Sequence, residues 1–123
     1  MEWITPKTDW AARKDAEGKY TGDYFNTEDY NRIKNNIEFL GYMAREFWAV
    51  SVKSMPDRQY YEYPYADEIN TLSDNLEEIN AYVKCVIGEK TIYSDNGAFI
   101  GYADLNRLES ACLTLYEAMW NLY

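Results

Sequence analysis

Three copies of one apolar spacing constrain this chain more than any other feature. From Tyr30, apolar or weakly polar residues fall at Tyr30, Ile33, Ile37, Leu40, Ala44 and Phe47. The steps are 3, 4, 3, 4 and 3 residues, the spacing of a seam along one face of an α-helix. The same series recurs 39 residues on, at Ile69, Leu72, Leu76, Ile79, Val83 and Val86. It returns after a further 36, at Leu105, Leu108, Cys112, Leu115, Met119 and Leu122. One such window arises easily by chance, but three in register mark an internal repeat.

Flanking residues repeat with the seam. An asparagine follows each first member, at Asn31, Asn70 and Asn106. Carboxylates open each unit, Glu28 and Asp29, then Asp67 and Glu68, then Asp104, where they complement the positive end of a helix dipole. The first two units also share Asn36-Ile37-Glu38 and Asn75-Leu76-Glu77, which decays to Ala111-Cys112-Leu113 in the third. The asparagines lie one step from the seam, where a side-chain amide can bond to the backbone of a neighbouring lead-in and set register.

These patterns predict a mainly α fold, a three-helix bundle of related units at about 27–50, 66–87 and 102–122. Asn26 is placed to cap the first helix, with Phe25 before it and Tyr30 inside it in the layout of a hydrophobic staple. Pro56 and Pro64 keep the first connection out of helix, and Gly88 suits the end of the second helix. Asp95-Asn96-Gly97 is a turn signal between β-formers and allows a short hairpin near 90–100. Residues 1–25 have no period and read as an extended segment pinned by Trp3 and Trp10. With connections of about 14–16 residues, longer than antiparallel bundles need, up-down-up is the expected order. Helices running the same way stay open, because such connections can span a helix length.

Composition bounds the function. The 123 residues suffice for one domain with a core of its own, 1–123, and 47% hydrophobic content excludes a disordered tail. A net charge of −9 argues against direct binding to a phosphate backbone. It fits a soluble surface, a basic partner, or a decoy for a protein that binds nucleic acid. Histidine is absent from the sequence, so the commonest general base and metal ligand are missing. No phosphate-binding glycine loop, nucleophile elbow or spaced Cys/His set occurs, and the expectation is no enzyme, no cofactor and no metal. Cys85 and Cys112 form no redox or metal motif, and Cys112 on the seam reads as a buried free thiol. No apolar run is long enough to span a membrane, and the start lacks a signal peptide's basic and apolar regions. A soluble chain, made and folded in a cytoplasm, follows as the expectation.

Contact surfaces are better represented. Tyr60, Tyr61, Tyr63 and Tyr65 crowd one connection, and tyrosine offers a wide, stiff contact area with a polar tip. These rings either lie over the bundle or face a protein or sugar. Tyr116, Trp120 and Tyr123 flank the third seam and suit a packed loop or self-association equally.

"ITPKTDW", "YFNTEDYNRIKNNIEFL" and "YADLNRLESACLTLY" together resemble small structural proteins of phages and prophages of Gram-positive bacteria. These carry a "TPKTDW" opening before "DYNRI" or "DLNRIE" helix starts and accompany tail, baseplate or fibre components. The similarity spans Ile4–Trp10, Tyr24–Leu40, Tyr65–Ile79 and Phe99–Tyr116. It implies an assembly role through protein contacts, in an oligomer or docked on a tail or baseplate protein, and leaves incorporation into the virion open. It carries no catalytic residues. The alternatives are a small acidic inhibitor that mimics nucleic acid before a host defence protein, and a binder of host-surface carbohydrate.

Overall fold

A computed structural model of the chain describes residues 3–59, 66–89, 91–94 and 100–122. Within them lie three helices, α1 (Thr27–Arg45), α2 (Ala66–Val83) and α3 (Tyr102–Trp120), each packed on the other two. The bundle is the mainly α fold that the seam predicts. Local chemistry starts α1: the Asn26 side chain accepts from Asp29 N–H at 3.1 Å, and the Asp29 carboxylate accepts from Asn26 N–H at 3.1 Å. α3 begins after Gly101, with no side-chain cap bond.

The core is the seam. Tyr30, Ile33, Ile37, Leu40 and Ala44 from α1 are buried against Ile69, Leu72, Leu76 and Ile79 from α2 and Leu105, Leu108, Cys112, Leu115 and Met119 from α3. Each such side chain removed from water contributes about 1.5–3 kcal/mol if it is a Leu, Ile or Met. Cys112 and Cys85 are both free thiols, and burial pushes the Cys112 thiol up, with Glu109 adding to the effect.

The helices stop about a turn earlier than the periodicity extends. Phe47, Val86 and Leu122, the sixth member of every series, lie beyond the helix ends and are exposed, Val86 by 93%. Gly88 does not end α2. Lys84 takes the left-handed conformation (φ 62°), and the Asn80 side chain pairs with both N–H and C=O of Cys85, at 2.7 and 2.8 Å, which turns the chain away.

All three helices run the same way, in place of the expected up-down-up order. Their first halves meet: the Tyr30 hydroxyl donates to Glu68 at 3.2 Å, Arg32 donates to Glu109 at 2.7 Å, and Arg107 donates to Ser73 at 2.8 Å. Beyond the other end of α1, Trp48 stacks on Tyr82 near the end of α2, with ring centroids 5.9 Å apart. The connections after α1 and α2 make this possible, because their described residues Lys53, Arg58 and Tyr93 return along the helices instead of turning at once. Lys53 is held at the middle of α2 by Asn75, and Arg58 near the start of α1 by Asn31. At about 3.3 Å per extended residue, either connection covers the roughly 28 Å length of a helix.

Residues before α1 are only partly extended. Trp3 to Trp10 runs along the groove between α3 and α1, and residues 11–23 then double back through the Lys14–Tyr20 bridge. The Asp15 carboxylate accepts from Glu17 and Lys19 N–H, and Gly18 supplies the positive φ of 82°. The turn at Asp15 and Gly18 is where the expected extended segment of residues 1–25 folds back instead. The hairpin expected around Asp95-Asn96-Gly97 falls outside the described residues.

Candidate functional site

The repeated asparagines act as clamps on the lead-in segments. Asn31 accepts from Arg58 N–H at 2.7 Å and donates to Arg58 C=O at 2.8 Å. Asn70 does the same to Tyr93, both at 2.8 Å, and Asn106 to Trp10, at 2.8 and 3.0 Å. An amide is suited to this, since one side chain satisfies a backbone donor and acceptor together. A second pair repeats the device deeper in the grooves. Asn36 clamps Ile4 at 3.0 and 2.7 Å, and Asn75 clamps Lys53 at 3.0 Å for both bonds. The third helix has Ala111 at that register and lacks the amide.

The arrangement is cyclic. Each lead-in is held early by its own helix, where that amide exists, and late by a neighbouring one. Residues 3–10 lie between α1 and α3, residues 53–58 between α2 and α1, and Tyr93 is held on α2 ahead of α3.

One register position escaped the sequence reading because its residue type changes in every copy: Lys34, Ser73 and Glu109, all buried. Glu109, wholly buried, accepts from Lys7 N–H at 2.9 Å, from the Trp10 indole N–H, and from Arg32 at 2.7 and 2.8 Å. Arg32 also pairs with Asp29 at 2.7 Å. Lys34 donates to Met55 C=O at 3.0 Å and pairs with Asp57. Ser73 receives Arg107. Only the alignment of the three units, with no shared chemistry to reveal it, brings these residues together.

The start of the bundle holds a second polar cluster. The Tyr20 and Tyr102 hydroxyls lie 2.5 Å apart, each within reach of Asp23 C=O, so that one donates to the carbonyl and the other to its neighbouring hydroxyl. The bond to Tyr102, then burial, pushes the Tyr20 hydroxyl up to about 12. Asp23 is held below its ordinary range, first by Ala11 N–H and then, against the effect of burial, by Lys7. These are structural ties between the lead-in and α3. Among the described residues no group of three His, Cys, Asp or Glu side chains is placed to hold a metal ion, and no helix is long and apolar enough to cross a membrane.

Of the candidate contact residues, Tyr60, Tyr61, Tyr63, Tyr65 and Tyr123 lie outside the described residues. Tyr116 is half-buried and stacks between Trp3, at 4.1 Å and 6°, and Trp120, at 6.0 Å and 9°. Trp120 is 59% exposed. Because the helices are parallel, Trp120 shares the C-terminal end of the bundle with Phe47, Tyr82, Val86 and Leu122, all exposed. No family model, no curated protein and no solved structure matches the chain.

Proposed function

We propose that the chain is a non-enzymatic adaptor that works through protein contacts in a phage or prophage tail-associated assembly. The observation that carries the contact role is the C-terminal end of the bundle. There Phe47, Val86 and Leu122, which prolong the sequence period beyond the helices, are exposed together with Tyr82 and Trp120, apolar groups on a chain of net charge −9. Three parallel helices also present their carbonyl ends at this surface, and only α1 has a basic residue, Arg45, in its last turn. The partner surface that complements it is apolar with a basic rim. The tail context rests on the similarity of the "TPKTDW" and "DYNRI" segments to phage structural proteins, and the assembled partner is then a tail or baseplate component.

The acidic-decoy alternative has less support. Asp23, Asp29, Asp57, Glu68 and Glu109 are each paired with lysine or arginine within the chain. All of these but the exposed Asp57 are drawn inward instead of joining a phosphate-like row.

The test is co-sedimentation with assembled particles. Val86→Glu combined with Trp120→Glu abolishes co-sedimentation while helical circular dichroism and the melting midpoint stay at wild-type values. A wild-type chain that never accompanies particles sinks the proposal.

A further inference from the structure

Two of the three groove fillings are local in sequence and one is not. Residues 46–58 leave α1 and fill the groove beside it, and residues 84–89 leave α2, on which Tyr93 is then clamped. The groove beside α3 is filled by residues 3–10, whose contacts with α3 span 96 residues at Trp10–Asn106 and 102 at Lys7–Glu109. No covalent connection within the 123 residues joins this segment directly to α3.

We propose that the groove between α3 and α1 is an extended-peptide site that accepts residues 3–23 of a second copy, so that chains assemble by exchanging this segment. The groove recognises both backbone and side chains. Asn36 and Asn106 each pair with the N–H and C=O of one segment residue, Ile4 and Trp10. Glu109 accepts from Lys7 N–H and the Trp10 indole, Tyr116 stacks on Trp3, and Trp10 is 4% exposed. None of these contacts depends on which chain supplies the segment, the condition for exchange of an identical element.

The moving unit has a natural boundary. Lys7–Asp23 and Ala11–Asp23 tie residues 3–23 to one another, and Tyr20 and Asp23 tie them to Tyr102 of α3. Tyr24, 71% exposed, then leads to the Asn26 cap of α1 and is the hinge. Glu109 makes the groove selective. In the aligned place α1 has Lys34, which engages Asp57, so a segment bearing Asp57 meets an acid in the α3 groove. The tether favours the closed monomer through an effective concentration on the order of millimolar. Exchange therefore belongs to crowded, assembled conditions. This inference is independent of the apolar end, and exchange persists when that end is mutated.

Two complementary full-length variants test it. Trp10→Ala keeps the groove and spoils the segment, whereas Asn106→Ala with Glu109→Gln keeps the segment and spoils the groove. Light scattering detects monomers for each alone and a one-to-one dimer on mixing. A mixture that stays monomeric with helical circular dichroism intact overturns the proposal. If either variant loses its helical signal, the wild-type chain decides, titrated with a fluorescent peptide of residues 3–23. Saturable binding with a midpoint near millimolar is expected, about tenfold weaker for the Trp10→Ala peptide. No saturation, or equal binding by both peptides, overturns it.

Discussion

The α1 groove holding residues 53–58 and the α3 groove holding residues 3–10 are built alike and charged oppositely. Both use an asparagine one step after the first seam residue, Asn31 or Asn106, to clamp a backbone. Four positions after the first seam residue they part: Lys34 faces a carbonyl and Asp57, while Glu109 faces two N–H groups and Arg32. The amides supply register common to all grooves, and the charged residues determine which segment goes into which groove. They also differ in exposure. Asp57 is 59% exposed and half-solvated, whereas every partner of Glu109 points into a closed site.

Breaking the buried side of this comparison has the largest expected effect. Glu109→Ala strands Lys7 N–H and the Trp10 indole and leaves Arg32 with Asp29 alone, and lowers the unfolding free energy by about 3–5 kcal/mol in denaturant titration. Lys34→Ala costs about 1–2 kcal/mol, since Met55 C=O and Asp57 can turn to water. Equal losses would show that the two grooves are not energetically distinct.

The clamps come next. Asn31→Ala, Asn70→Ala and Asn106→Ala each cost about 1–3 kcal/mol by loss of a two-bond clamp on a part-buried backbone. Similar values across the set support a shared register role, and hydrogen exchange at Arg58, Tyr93 and Trp10 N–H identifies which lead-in has loosened.

Packing of the lead-in on α1 is probed at Gly41, where an added Cβ would lie 2.3 Å from Val52 Cγ2. Gly41→Ala destabilises by about 1–2 kcal/mol, overpacking outweighing the gain in helix propensity. Val52→Ala in the same chain relieves the clash, and a double-mutant cycle returns a favourable coupling. Additive losses would mean that the segment shifts to make room.

The smallest effect is the exposed ion pair. The bond from Lys34 holds Asp57 below its ordinary 3.8. A carboxyl depressed in the folded state stabilises above its unfolded pKa, and that contribution is lost as pH falls through the folded value. Screening keeps it to about 0.2–1 kcal/mol. The wild-type advantage over Asp57→Asn is therefore present at neutral pH and vanishes below the ordinary 3.8 in acid titration.

Helix starts were more legible than helix ends. Asn26 caps within three residues of itself, so its pattern is complete in the local sequence. Phe47, Val86 and Leu122 continue the period but follow residues that leave the helix, and periodicity alone cannot register that departure. The site divides the same way. Asn31, Asn70 and Asn106 were visible because identity repeats at fixed spacing. Lys34, Ser73 and Glu109 were hidden because only their burial repeats.

Sequence by itself determined three helical units, their seams and the amides beside them, because caps and periodicity act over a few residues. Tertiary structure decided that the helices run parallel, since a seam reads the same in either direction and only the returning lead-ins select one. It also decided that Arg32 and Glu109, 77 residues apart, share one buried site. That pairing depends on α1 and α3 packing side by side, a neighbourhood that no local pattern encodes.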